Sequence, residues 1–584
     1  MKTYDIVIKD GMIFDGARNP RFQSDLGIKD GRIVAMGHLD ASDAERVIDA
    51  TGLHVAPGFV DLHTHYDAQV FWDPYCSMSG WHGVTSLVTG NCGFGFAPTP
   101  PEARDRAMLA MTRNEAIPLG SMQAGMPWDW VTFPEYLDSV DRTPKSVNIV
   151  SYMGLTPTLI WVLGFDRAKA GALPTDAEHA EMRRLLHEAM DAGACGWSVQ
   201  RMNPEISFQR DYDGTPMVTD VMHDETAYEM AHVLRERNAG FVQLSHVSSR
   251  TDPWPDRRHT EELARISRRP IIWNALLTRA GAPIHRDTMT WLTSCRERGL
   301  RVHGQTMTGE VAHYFTFEDW NEWDDSAAWR EATIGTIEEK LARFADPDVR
   351  ARIKADPTMR AATGDTVAGE QGRLADVVLL HTETAAFKEF ENLTIGDIGD
   401  LRGGAHPVDV ILDIAVGDIT SMFFWEVFDA SKARAWQKEV VEYEYGIAGV
   451  SDGGAHTKFL TAGRYPTEYL TKWVRDLAWV SLEHAHWQLS GYPAFCGGFR
   501  DRGVIREGAA ADIVIYDFAN LAVLPPEVAY DLPADEWRRV QRAKGYRYVL
   551  VNGEVTIEDD RETGVHSGQL LRHGVGRTPA GVER

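Results

Sequence analysis

The sequence predicts an α/β protein: a distorted (β/α)8 TIM-like barrel joined to a small β-sandwich domain built from both termini. Two observations predict it. Between residues 53 and 450, short apolar strand-like runs alternate with amphipathic helix-like stretches, the pattern that yields a parallel sheet covered by helices. At both ends of the chain the pattern changes to short strands separated by Asp-Gly or Asn-Gly, the strongest local signal for a hairpin.

Taken in order, residues 4–9, 12–14, 26–29 and 32–36 read as strands, with Asp10-Gly11 and Asp30-Gly31 as turns. The apolar run 53–60, interrupted by Pro57-Gly58, is the first buried strand of the barrel. Further strands are expected at 84–88, 147–153, 196–199, 240–244, 270–274, 301–305 and 446–450, with helices at 177–192, 224–238, 260–267 and 288–298. The terminal grammar returns at 511–516 and 548–556, around Asn552-Gly553. This divides the chain into a β-sandwich and C-terminal segment (1–57 with about 480–584) and a barrel (58–479). The interval from 309 to 445 is too long for one strand-to-helix connection. Its first part, about 309–375, is read as an insertion or lid near the barrel mouth, rich in Tyr314, Phe315, Phe317, Trp320, Trp323 and Trp329, with one or two helices over 336–351. A plain outer-surface subdomain is the competing view.

Composition narrows the function classes. With 584 residues, 43% of them hydrophobic and 25% charged, the chain is long enough for a large core. A formal net charge of −25 argues against a nucleic-acid partner, because phosphate binding needs a basic footprint. The first ten residues alternate like a strand and carry no apolar leader, and no run of 18 apolar residues occurs, so a cytoplasmic protein without a membrane partner is expected. Five thinly spread cysteines, Cys76, Cys92, Cys195, Cys295 and Cys496, do not make a disulfide framework. The expected partner is a small molecule, and a homo-oligomer is left open.

The chemistry begins at Gly58-Phe59-Val60-Asp61-Leu62-His63-Thr64-His65. Alternate residues of an extended strand point the same way, so His63 and His65 can offer two imidazoles to one cation. Asp452, in Ser451-Asp452-Gly453-Gly454-Ala455-His456, follows another apolar strand and completes a plausible zinc set with them. Cys92, in Gly90-Asn91-Cys92-Gly93, follows the strand at 84–88 and can face the same mouth.

These segments, with the late run Asp501 to Asp517, resemble the amidohydrolase superfamily, and the Gly-Asn-Cys-Gly segment resembles its branch of N-acyl-D-amino-acid deacylases. The resemblance implies a zinc-dependent deacylase acting on a non-peptide C–N bond, with one or two zinc ions. It implies His63, His65, Cys92, His246 and Asp452 as metal ligands, with Asp452 also accepting a proton from the attacking water. His456 would donate to a developing oxyanion or hydrogen-bond within its loop. Arg464 and Lys458, in the loop after the last strand, would bind a substrate carboxylate, or stand as solvated charges. One departure stands out. Where the deacylases carry a further histidine this chain has Asn274, a poor zinc ligand, so Asn274 and the nearby His303 are assigned to substrate binding. The expected reaction is cleavage of an N-acyl amino acid, of the D series, by a metal-activated water. Another amide, a lactone or a carbamate is the near alternative, and a non-catalytic binding protein with a vestigial metal site the remote one.

Overall fold

The structure is a computed structural model, and it describes residues 2–574 apart from 206, 208, 250–251, 279–283, 310–311, 320–322, 325, 357–373 and 427–429. Its centre is a run of parallel pairings. Phe59–Asp61 pairs with Val84–Thr89, which pairs with Asn148–Ser151. The chain continues into Met153–Gly154, which pairs with Gly196–Met202. Phe241–Val247, Ile271–Leu276, Val302–Thr306 and Gly446–Ala448 then follow in sequence order. A parallel bridge between Thr64 and Gly453 brings the end of the last strand beside the first. Every strand forecast between 84 and 450 is present within a few residues.

These strands form because they are apolar on both faces. Val84–Thr89 is buried at all six positions, which is what helices covering a parallel sheet require. One side of the strands faces inward, where Val60, Val88, Ile272 and Ile447 pack with Tyr492 and Cys496 of Tyr492–Cys496. Each such aliphatic side chain contributes about 1.5–3 kcal/mol on burial. The covering helices begin at strong caps. Asp176–Ala192 opens on a Thr175/Glu178 capping box and stops at Gly193, whose φ of 116° lets the chain turn.

Both ends of the chain enter one nine-stranded sheet. Asp30-Gly31 turns Phe22–Lys29 into Arg32–Gly37, and Asn552-Gly553 turns Tyr546–Val551 into Glu554–Glu558, as forecast. Asp10-Gly11 does not turn the chain. Tyr4–Ile13 is a single strand whose pairing shifts between Ile8 and Gly11, so the positive φ of Asp10 (56°) serves a β-bulge. Among the described residues no helix is long and apolar enough to cross a membrane.

The long interval holds its own small unit, wider than 309–375. Met422–Glu426 lies between Ala312–Phe315 and Val378–His381, so three segments far apart in sequence share one sheet. The one or two helices forecast over 336–351 are two, Ile337–Ala345 and Pro347–Ala355, separated by the Asp346 cap, the second running a few residues further. Phe315, Phe317, Trp323, Trp329, Phe344 and Phe423 form its core, with Trp329 wholly buried. Phe315, Phe317, Trp323 and Trp329 therefore fill this unit rather than offering a wall to a ligand, while Tyr314 is part-buried beneath the Arg539 guanidinium; Trp320 lies outside the described residues.

A buried ion pair ties the unit to the rest. Arg113, at the end of Arg104–Asn114, donates from Nε and Nη2 to the two carboxylate oxygens of Asp324 at 2.7 and 2.5 Å, and Nη2 also reaches Thr333 Oγ1 at 2.9 Å. Both side chains are nearly inaccessible. Arg113→Ala leaves Asp324 buried without its guanidinium and is expected to cost about 3–5 kcal/mol, read as a lowered urea midpoint. A loss below about 1 kcal/mol would contradict this.

Candidate metal centre

The strand ends deliver their side chains to one rim. His63 and His65 follow Phe59–Asp61, and the backbone there is fixed from three sides: His65 N–H donates to Gly453 O at 2.7 Å, Thr64 Oγ1 to Val88 O at 2.8 Å, and Ser451 Oγ to His63 O at 3.1 Å. Gly454 is obligatory at this crossing, since a Cβ would lie 2.7 Å from the His65 carbonyl. The Gly90–Gly93 turn runs through three positive φ angles, including Cys92 at 57°, and Asn91 holds it by donating to Thr64 O and Val88 O. Gln243 Oε1 accepts the Cys92 N–H at 2.7 Å.

Four donor atoms converge as a result. His63 Nε2 is 3.4 Å from Cys92 Sγ and 3.3 Å from Asp452 Oδ1, and His65 Nε2 is 3.6 Å from the same Asp452 oxygen. The ligand atoms of His63, His65 and Cys92 all lie within 4.8 Å of one another. Zinc bonds of about 2.0–2.3 Å in a tetrahedron put neighbouring ligands roughly 3.3–3.7 Å apart, so this donor set fits zinc in chemistry, and the His63–Cys92, His63–Asp452 and His65–Asp452 separations fit it in spacing. Gln305 orients His63. Its amide donates to Gly449 O, which leaves Oε1 to accept Nδ1–H at 3.1 Å and turns the Nε2 lone pair toward the cluster.

The electrostatics couple the thiol to the two imidazoles, whose protons a cation bound there would displace. Burial would raise the Cys92 thiol, but His63 and His65 beside it bring it down to about 6, into the range of a thiolate ligand. Burial would lower His63, yet Cys92 and Asp452 lift it to about 9. Asp452 is held well below the usual carboxylate range by its bond to His65 and by the His63, His65 and His456 charges, which outweigh its burial.

The amidohydrolase family model matches residues 46–232 and 302–557. The chain belongs to the amidohydrolase family. An uncharacterized protein of Mycobacterium tuberculosis is 30% identical over 549 residues, 89% of this chain and 85% of that one. The D-aminoacylase of Alcaligenes xylosoxydans xylosoxydans is 27% identical over 578 residues, 98% of each chain, and the N-acyl-D-aspartate deacylase of the same organism 26% over 573 residues, 98% of this chain and 95% of that one. Among solved structures, a D-aminoacylase described with a binuclear metal centre superposes with a TM-score of 0.64 at 22% identity, over 97% of this chain and all of the other. The Bordetella bronchiseptica N-acyl-D-glutamate deacylase, complexed with zinc and a phosphonate inhibitor, gives 0.65 at 22%, over 98% of this chain and all of the other. These superpositions show a shared α/β fold.

Within this amidohydrolase the other expected site residues scatter. His246 does not join the cluster. Along Phe241–Val247 it is Gln243 and Ser245 that reach Cys92, so His246 points to the opposite face, 3.7 Å from Asp256 and ring-to-ring 4.9 Å from His259. Asn274 is at the site's edge, donating to Ser245 Oγ at 3.2 Å. His303 shares the inward face of its strand with Gln305 but lies one layer deeper, against Tyr492 OH at 3.0 Å rather than beside the four donors. Lys458 is engaged by Asp319 (2.8 Å) and Glu536 (3.0 Å), and Arg464 by Glu468 (3.3 Å). His456 Nε2 faces Glu115 Oε2 at 3.5 Å.

Glu115 is the residue that sequence reasoning missed. It follows the helix Arg104–Asn114 and reaches within 3.6 Å of His65 Nε2, with its side chain 2% exposed. Arg113-Asn114-Glu115-Ala116 carries no motif, so no local signal could have found it.

The deep histidines set an acid limit. Burial keeps His82 and His303 at about 4, against 6.5 in the unfolded chain. As pH falls from 6.5 toward 4 the unfolded chain takes up these protons and the folded one does not, so stability is lost across that window. Tm is expected to fall between pH 7 and 5, less steeply in His303→Gln; equal slopes would contradict the assignment.

Proposed function

We propose that this amidohydrolase cleaves the amide bond of an N-acyl amino acid of the D series, with zinc held by His63, His65, Cys92 and Asp452 at the C-terminal rim of a distorted (β/α)8 barrel. The observation that carries the reading is that the ligand atoms of His63, His65 and Cys92 lie within 4.8 Å of one another, with Asp452 Oδ1 3.3 Å from His63 Nε2 and 3.6 Å from His65 Nε2. The parallel run closed at Thr64 and Gly453 supports the barrel, and the sheet shared by both ends supports a separate β domain of residues 1–57 with the C-terminal segment. The D-aminoacylase and N-acyl-D-aspartate deacylase among its relatives support the substrate class.

Zinc, when bound, supplies Lewis acidity to the scissile carbonyl and lowers the pKa of water toward 7. The chain's own residues do the rest. Asp452, ionised in its ring of histidines, accepts the proton of the attacking water and returns it to the nitrogen as the C–N bond breaks, giving a carboxylate and an amine. Gln305 keeps the His63 ring in one orientation throughout.

A mostly apolar cavity beside the site supports an apolar acyl group. Phe94, whose ring is 6.1 Å from that of His65, lines it together with Pro98, Ala107, Met111, Ile160 and Val218. Filling it with Ala107→Trp is expected to raise KM for long-chain acyl substrates about 10-fold or more and to leave acetyl substrates little changed. Equal effects on both would contradict the pocket.

One observation favours the near alternative, a lactone, a carbamate or an amide without a carboxylate: Lys458 and Arg464 are already paired with acidic side chains. The deciding experiment is amine release from matched N-acyl-D- and N-acyl-L-amino acids beside neutral amides and lactones. Turnover confined to N-acyl-D-amino acids supports the proposal; turnover confined to neutral substrates overturns it.

A further inference from the structure

The cavity beside the metal centre is apolar along its walls and charged at one end. Ala107 and Met111 line it four residues apart on the helix Arg104–Asn114, and four residues further, where the helix ends, Glu115 stands beside His65. The helix therefore runs outward from the metal centre, and at about 1.5 Å per residue Arg106 lies about 13 Å along its axis from Glu115. Phe94, next to His65, lines the inner end, and Arg106 and Asp211 line the outer one.

The outer end holds more positive charge than negative. Asp211 is 1% exposed, and a single oxygen, Oδ2, accepts from both Arg106 Nη2 and Lys169 Nζ, while Oδ1 accepts the Tyr212 N–H at 2.8 Å. Asp213, the other carboxylate near the two cations, is exposed and accepts from the N–H and hydroxyl of Thr215. One buried carboxylate thus serves two cations. Arg106 engages it through Nη2 alone, and its Nε is buried with no hydrogen-bond partner. A buried donor without an acceptor is costly. The guanidinium also rests against the rings of Phe165 and Tyr212, 4.5 and 4.9 Å from their centroids, so it is held in place before any ligand arrives.

A bare hydrocarbon chain would cover the walls and leave this end unused. A carboxylate at the end of the chain would accept from Nε–H and Nη1 and offset the surplus charge, a contact that a guanidinium makes well. Length follows from the same geometry. A chain spans roughly 1.2 Å per bond, so one of about ten carbons reaches from the metal centre to Arg106.

We infer that the acyl group this cavity selects is an ω-carboxyacyl chain, its methylenes along Ala107, Met111, Ile160 and Val218 and its terminal carboxylate on Arg106. The inference rests on reading the cavity as the acyl pocket.

The test measures binding before turnover. Full-length, zinc-loaded protein is titrated calorimetrically with decanoate and with sebacate, the ten-carbon monoacid and diacid. Wild type is expected to bind sebacate at least about 10-fold more tightly than decanoate. In Arg106→Gln the ratio should fall to near one. Ala107→Trp, which blocks the path of the chain and leaves Arg106 in place, should abolish the preference as well, so the test survives if Arg106→Gln does not fold. Equal affinities in the wild type, binding of neither acid, or a preference that persists in either variant would overturn the inference. Turnover of N-sebacoyl- and N-decanoyl-D-amino acids is followed on the same samples. A kcat/KM ratio that tracks the binding ratio supports both readings, whereas a sebacate preference without turnover of either amide overturns the substrate reading and leaves the pocket assignment standing.

Discussion

Asp452→Asn is expected to lower kcat about 1,000-fold with little change in KM. The substitution preserves size and can still coordinate through its carbonyl oxygen, but it removes the group that accepts the water's proton. Asp452 suits that task by position more than by basicity. Its Oδ1 touches both His63 and His65, and those histidines hold it ionised far below neutral pH. A carboxylate so stabilised is a weak base toward ordinary water, and the transfer becomes feasible because the water it serves is itself acidified to near pH 7. The measurement is steady-state kinetics with bound metal determined on the same samples. A loss below 10-fold at full metal content would remove Asp452 from the base role.

Cys92→Ala is expected to weaken zinc binding by more than about 100-fold. Removing even an outer partner of a ligand costs about 10–100-fold in affinity, and a thiolate in the donor set contributes more than an outer partner. The thiol is poised for the role: His63 Nε2 lies 3.4 Å from its sulfur, and the His63 and His65 charges bring it to about 6 against the pull of burial. The other four cysteines are buried, and Cys76, Cys195, Cys295 and Cys496 all have thiols pushed upward chiefly by that burial. The same substitution at Cys195 should therefore leave zinc affinity unchanged. Chelator competition reads both, and equal affinities for wild type and Cys92→Ala would exclude the thiolate.

What the sequence disclosed follows from how local each signal is. His63 and His65 sit at a strand end with a fixed alternation, and Cys92 and Asp452 follow strands among glycines, so their convergence was legible once the strands were ordered. His246 failed for a physical reason. Phe241–Val247 is buried on both faces, so polarity does not mark which residues face inward, and a shift of one position exchanges Ser245 for His246. The chain offered the histidine a buried home elsewhere, between Asp256 and His259.

Glu115 and the limits of the inserted unit were illegible for a different reason. Both depend on contacts between segments far apart: Met422–Glu426 completes a sheet begun at Ala312–Phe315, and Arg113 finds Asp324 some two hundred residues later. The Asp10-Gly11 bulge shows the opposite error, a strong local turn signal overruled when the sheet continued past it to pair with His54–Pro57. Paired acids likewise explain Lys458 and Arg464, whose partners Asp319, Glu536 and Glu468 only the fold brings near.

The most direct test of the central claim is elemental analysis of the purified protein and of His63→Ala, each assayed for amine release from an N-acyl-D-amino acid panel. The account predicts at least one zinc per chain in the wild type, loss of that zinc in the variant, and turnover that disappears with it. Wild-type protein that hydrolyses the panel equally well after complete metal removal would contradict it.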